Sequence, residues 1–218
     1  AREHEGQVIS EASFEHVDLL SGEWLILPRS TYLLNEIDAH CRSVGVYFER
    51  KENPSISEKK IDAVKNWEQL RKGHSLYPEQ AVSAVSYIKD SKKKVLEDTP
   101  QNEKLTLAEV LQKASIGDPL IWHDMFDAIS PAERSYILSM LRRGEKITKT
   151  PRVKLSTIHS AKGGEADNVL LLTDIPHRTW KEYEKRPDDD TRVFYVGLTR
   201  AKQNLHIVQP MTNKYFPL

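Results

Sequence analysis

The chain has 218 residues, 39% of them hydrophobic, enough for one good-sized core or a core with a small satellite, and for no more than two compact units. Its 32 basic and 32 acidic residues cancel, so no global field draws it to nucleic acid, and any such contact must rest on local patches. A single cysteine, Cys41, excludes an internal disulfide and a cysteine-rich metal site, and no apolar run approaches the ~20 residues of a membrane-spanning helix.

With no charged-then-apolar leader, the sequence reads as a soluble protein of a reducing cytoplasm, with no membrane partner. Residues 1 to 20 alternate loosely at Val8, Ile9, Phe14, Val17 and Leu19, the pattern of a short strand pair. Trp24 to Leu27 is a short buried strand ending at Pro28-Arg29-Ser30. Leu33, Leu34, Ile37, Cys41 and Val44 then recur at helical spacing until Gly45, and Val46-Tyr47-Phe48 reads as the next strand. This β-α-β unit implies parallel strands joined by a right-handed crossover.

From Ser55 the chain turns helical. Ser55-x-x-Glu58 is a capping box, followed by Ile61, Val64, Trp67 and Leu70 on one face and a stop at Gly73. Pro78 opens a helix through Ile88, Thr106-x-x-Glu109 opens another, and Lys92 to Asn102 between them reads as a solvated connector. Ser130-Pro131-x-Glu133 starts a helix that runs through Ile137, Leu138 and Leu141 to Gly144. The α/β pattern then resumes: strands at Val153–Ile158 and Asn168–Leu172, an acidic loop Asp188-Asp189-Asp190, a helix through Arg200, and a last strand Leu205–Val208.

The polar loop His159 to Glu165 leaves the first of those strands at its carboxyl end, where open α/β sheets place ligands. Gly163 and Gly164 permit positive φ and close backbone approach, and Ser160, Lys162 and Glu165 supply a hydroxyl, a cation and a carboxylate, a mixture suited to a sugar-phosphate ligand. Read by spacing alone, Arg200 is a cation complementing a helix dipole, Glu165 a solvated acid, and Thr157, His159 and Ser160 a satisfied polar turn. Arg142, Arg143, Lys146, Lys149, Arg152 and Lys154 outnumber one acid, Glu145; the run is either a solvated face or a phosphate track. Trp180 and Tyr183 read as packing residues rather than a base-stacking surface. No recurring Cys, His or acid spacing marks a metal site, and no G-x-S-x-G elbow supports a nucleophilic triad.

Two segments together resemble motifs V and VI of the UvrD/Rep/PcrA DNA helicases of superfamily 1, whose patterns run T-x-H-x-A-K-G-L-E and Y-V-x-x-T-R-A. The first is matched by Thr157, His159, Ala161, Lys162, Gly163 and Glu165, with Gly164 where leucine is usual; the second by Tyr195, Val196, Thr199, Arg200 and Ala201. The resemblance is strong over residues 150 to 210 and weak elsewhere. It implies an α/β, RecA-like parallel sheet flanked by helices and interrupted by a small all-helical insertion: residues 1–72 and 151–218 as the two parts of the motor domain, residues 73–150 as the accessory subdomain.

The same resemblance implies the roles. Arg200 is the arginine finger that reaches the γ-phosphate of ATP bound, with magnesium, on a partner motor domain; Glu165, with Gly163 and Gly164, meets the nucleotide ribose. Thr157 and His159, with Ser160 and Lys162, meet the phosphates of single-stranded DNA, and Arg29 matches a strand-end arginine along that track, although its flanking residues differ from the family's. None of the nine glycines begins a G-x-x-x-x-G-K-[ST] loop, and no strand ends in an Asp-Glu pair. The sequence therefore reads as the C-terminal half of an ATP-dependent 3′-to-5′ helicase from a bacterial or phage-infected cell, excised from a longer chain and inactive as an ATPase alone. Its partners are then single-stranded DNA and an N-terminal RecA-like domain. Two alternatives stay open: a non-catalytic module binding single strands or a partner protein, and the helicase part of a helicase-nuclease.

Overall fold

The computed structural model describes residues 6–145, 147, 150–161 and 164–218. Seven strands make one sheet: β1 (Gln7–Glu11), β2 (Trp24–Leu27), β3 (Phe48–Arg50), β4 (Asn53–Pro54), β5 (Val153–Leu155), β6 (Ala166–Leu172) and β7 (Ala201–Val208), in the order β1-β7-β6-β2-β5-β3-β4. Every pairing is parallel except the β3–β4 hairpin. The central strands explain the unbroken apolar runs: Trp24–Leu27 and Val169–Leu172 are buried throughout, as strands covered on both faces must be.

The nine α-helices among the described residues are α1 (Thr31–Val44), α2 (Glu58–Arg71), α3 (Pro78–Val85), α4 (Lys94–Glu97), α5 (Leu107–Ala114), α6 (Trp122–Met125), α7 (Pro131–Arg142), α8 (His177–Tyr183) and α9 (Pro187–Leu198). Two compact units emerge: an α/β unit of residues 1–55 and 139–218, and a helical unit of residues 56–138.

In the α/β unit the expected β-α-β crossover forms from β2, α1 and β3, and β5 lies between the two strands it joins. Ser30 caps α1 by accepting from the Leu33 amide at 3.4 Å, and Gly45 ends it at φ 73°. A Cβ on Gly45 would stand 2.6 Å from the carbonyl carbon of Ser139, so both backbone sign and space demand glycine there. Three local expectations are corrected. The first residues form one edge strand on β7 and a single 3₁₀ turn (Phe14–His16), not a strand pair, because β7 offers a longer partner. Val46 and Tyr47 are the buried approach to β3 rather than part of it. The Ser55 hydroxyl accepts from the Phe48 amide at 3.2 Å instead of capping a helix, so α2 starts later, after Ser57.

The helical unit starts at Ile56 and ends at Leu138, whereas the sequence put an insertion at 73–150. Its α2 belongs to it because Trp67 is fully buried there, donating to the Leu120 carbonyl at 2.9 Å with its ring 6.3 Å from that of Phe126. The capping box at Thr106 forms as expected, the Glu109 carboxylate accepting from the Thr106 amide at 2.8 Å. The presumed connector 92–102 contains the short helix α4, anchored by fully buried Leu96, and α3 stops at Val85 rather than Ile88.

Candidate functional site

The segment after β5 continues the parallel ladder for two more bonds, Ser156 N–H to Ile26 and Ile158 N–H to Pro28, both at 3.1 Å. It then turns sharply: the Thr157 carbonyl accepts from the Ser160 and Ala161 amides at 3.0 Å, and the Thr157 hydroxyl donates to the Ser160 hydroxyl at 3.0 Å. Ile158 and Ala161 are buried beneath, and His159 and Ser160 are exposed above, so the apolar pair fixes the polar pair. Lys162 and Gly163 lie outside the described residues. Gly164 donates to the Ala161 carbonyl at 3.0 Å without a positive φ, and an added Cβ would meet nothing closer than 3.6 Å, so the expected conformational need for glycine does not hold at that position.

Because β5 and β6 both run parallel to β2, this segment must cross from the carboxyl end of β5 to the amino end of β6. The sequence reading set the whole loop at the carboxyl end; only its first part is there. Exposed Glu165 stands at the amino end of β6, and the next amide, Ala166 N–H, donates to the Arg200 carbonyl at 3.2 Å. Glu165 and Arg200 are therefore neighbours at one end of the strands, and Thr157, His159, Ser160 and Arg29 gather at the other.

Arg200 lies in the turn between α9 and β7 rather than on the helix, which ends at Leu198 with Thr199 as its cap. Its half-buried guanidinium folds back over that helix end, Nε donating to the Val196 carbonyl at 3.0 Å and Nη2 to the Thr199 hydroxyl at 3.2 Å. No carboxylate pairs with it among the described residues. This is the dipole-complementing geometry that spacing alone suggests. The helix is seated by Phe194, fully buried, and Gly197, where a Cβ would come within 2.9 Å of Leu171 and 3.5 Å of Ile158. The close contact at Gly197 locks α9 to β6 and to the buried side of the crossing segment.

Arg29 does not face solvent alone. Its Nε donates to the Asp190 carboxylate at 2.7 Å, and its Nη1 lies 3.3 Å from His159 Nδ1. Asp190 is 4% exposed, in the first turn of α9. Sequence reasoning missed it by taking Asp188–Asp190 as an acidic loop. The signal was present: Pro187 followed by three acids is a helix start, where proline fits the first turn and carboxylates meet the dipole's positive end.

A cleft of about 470 Å³ opens beside the turn, lined among others by Thr31, Lys51, Glu52, Lys154, Thr157 and Ser160. Lys51 and Glu52 form the β3–β4 turn, both with positive φ (51° and 62°), a conformation that non-glycine residues rarely hold. Of the basic run, Arg152 is tied to Glu145 at 3.0 Å and to the Gly22 carbonyl at 3.3 Å; Arg142, Arg143 and Lys154 are exposed, and Lys146 and Lys149 lie outside the described residues. Trp180 and Tyr183 pack on each other at 5.2 Å and against the core, as expected of packing residues. Among the described residues no group of three or more His, Cys, Asp or Glu could hold a metal ion, and no helix is long and apolar enough to cross a membrane.

A mostly parallel seven-stranded sheet with flanking helices is the α/β architecture of a RecA-like domain. The chain belongs to the UvrD-like helicase C-terminal domain family, whose family model matches residues 82–210. It is 27% identical over 103 residues to the ATP-dependent DNA helicase Rep of Escherichia coli (strain K12), a match covering 45% of this chain and 14% of Rep. It is 36% identical over 70 residues to a probable DNA helicase II homolog of Rickettsia conorii, covering 29% of this chain and 11% of the relative. The matched region is thus a small part of each relative's length.

Proposed function

We propose that this chain is the C-terminal motor lobe of an ATP-dependent DNA helicase that moves 3′-to-5′ along one strand. ATP, with magnesium, supplies the cleavable phosphoanhydride and is held chiefly by a partner lobe. On this chain Glu165 accepts a hydrogen bond from the nucleotide ribose, with the Gly163–Gly164 backbone beside it, and Arg200 donates to the terminal phosphate. Thr157, His159 and Ser160, at the opposite end of the sheet, bind strand phosphates together with Lys162, and Arg29 lies along the same track.

The carrying observation is the contact between the two motif segments: the crossing segment begins at Thr157 and ends on the Arg200 carbonyl, one continuous backbone between the two proposed ligands. The donor set suits the nucleotide, since among the described residues Arg200's guanidinium is held by neutral oxygens, which a phosphate outcompetes as a charge-assisted acceptor. A second reading, a single-strand-binding or partner-docking module without catalysis, is favoured by that same guanidinium already being engaged on its own helix.

The test is Arg200→Ala in the full-length parent. A fall of ~10³-fold or more in DNA-stimulated ATPase is expected, the scale of an arginine finger. A change of only a few-fold would favour the module. Glu165→Ala is expected to weaken nucleotide binding more than bound-state turnover.

A further inference from the structure

We infer that the cleft beside the Thr157–Ser160 turn seats one nucleotide of the bound strand and favours a base carrying an exocyclic amino group, with Glu49 as the residue that reads it. The inference rests on the single-strand reading of that turn. At about 470 Å³ the cleft is of a size that takes a small ligand. Its lining is divided by chemistry. Buried Leu34, Leu155 and Ala161 offer apolar contact to a base or sugar, and Thr31, Thr157 and Ser160 offer hydroxyls. The charged lining residues are Lys51, Lys154, Glu49 and Glu52.

None of those four side chains has an ion pair or hydrogen bond among the described residues. Glu49 and Lys154 are nevertheless register partners on adjacent parallel strands, and so share one face of the sheet. Two lysines and two glutamates cancel, so the cleft is no general anion trap; it suits a ligand with an acceptor-rich end and a donor-bearing end. A nucleotide is such a ligand. Its phosphate takes the lysines and hydroxyls, and the amino group of cytosine or adenine donates to a carboxylate. Thymine and uracil present a carbonyl where cytosine presents the amino group, which a carboxylate repels. Glu49 is half-buried and Glu52 exposed, so Glu49 is the better shielded reader.

The charged turn is held in place. Lys51 and Glu52 keep positive φ at both positions of a two-residue hairpin turn, where Asn-Gly would fit without strain. Before it, Arg50 is fixed by Asp38 at 3.0 Å and Asn35 at 2.6 Å; after it, Asn53 donates to the Lys51 carbonyl at 2.8 Å. The hairpin thus keeps two long charged side chains at the cleft at a conformational cost, as ligand clamps do.

Oligo-dC and oligo-dU differ in the base edge alone, an amino group in one where the other has a carbonyl. For the 218-residue chain at fixed low salt and mildly alkaline pH, fluorescence anisotropy should show oligo-dC bound roughly fivefold tighter, the scale of one hydrogen bond. Glu49→Gln keeps the volume, and its amide turns to accept or to donate, so the preference should collapse to about one. Lost charge alone would tighten both strands equally and leave the ratio intact. Lys51→Ala should weaken both strands equally, keep the ratio, and flatten log K against log salt by ~0.7.

Equal affinity for the two strands in the wild type, or a preference that survives in Glu49→Gln, would overturn the inference. If Glu49→Gln fails to fold, Glu49→Ala decides on the same ratio. Should neither strand bind, the single-strand reading falls by itself, and dCMP titrated against dUMP, followed by NMR of the Glu49 and Lys51 amides, judges the cleft alone. Shifts with dCMP and not dUMP support it; equal shifts, or none, overturn it.

Discussion

The amide of Ala166 donates to the carbonyl of Arg200 across 3.2 Å, and the two chains run on from there as paired strands, Ala166 opposite Ala201. The backbones at Glu165 and Arg200 therefore cannot part without breaking the first rung of the β6–β7 ladder. Ala166 belongs to the same buried apolar cluster as Phe194 and Leu171.

Gly45 should tolerate no side chain. Gly45→Ala imposes a left-handed conformation on alanine and drives its Cβ to 2.6 Å from Ser139 backbone. The loss should be about 2–4 kcal/mol, from conformational strain plus overpacking, read as a lowered urea midpoint with an unchanged slope.

The β3–β4 turn should gain from relief. Replacing Lys51-Glu52 by Asn-Gly suits two successive left-handed residues and should stabilise the chain by about 1 kcal/mol in the same urea experiment. If Lys51, which lines the cleft, also meets DNA phosphate, oligo-dT affinity falls while stability rises.

Stability should decline in mild acid through His40. Burial lowers its pKa, more than the Glu15 carboxylate raises it, and Arg143 adds to the lowering. The folded pKa lies below the unfolded value near ~6.5, so the unfolded chain binds the proton first. Stability is then full above that value and is lost as pH falls from it toward the folded pKa. His40→Gln should flatten the urea midpoint against pH across that window.

The exposed cations Arg142 and Lys154 should act together on DNA and separately from Arg152. Substituting both by alanine should flatten log K against log salt for oligo-dT by about 1.4, at ~0.7 per phosphate neutralised on a single strand. Arg152→Ala should mainly lower stability, because its guanidinium is tied to Glu145 and the Gly22 carbonyl. An unchanged slope in the first pair would make the basic run a solvated face.

Much of this was legible from residues. The apolar runs at Trp24–Leu27 and Val169–Leu172 signal covered parallel strands, and Ser30, Gly45 and Thr106 signal helix ends through capping chemistry that acts over three or four residues. The motif segments are likewise visible as contiguous stretches. What stayed hidden is long-range. No local pattern says that β5 and β6 both pair parallel with β2, one on each side of it, and that one fact sends the segment between them from one end of the strands to the other and parts Thr157 from Glu165. Nor does spacing reveal that Arg29 meets Asp190. The capping of α9 by Arg200 was readable, since a cation just past a helix end has carbonyls within reach.

With Asp190 in its first turn and Arg200 just past its last, α9 works as a rigid axle whose two fittings share one rotational setting. Inserting a single residue within it would advance one fitting by ~1.5 Å and swing it ~100° about the axis relative to the other. Its length is therefore a phase constraint. A one-residue indel should uncouple the two ends even where each remains intact, whereas a whole-turn change would restore their alignment but not their spacing.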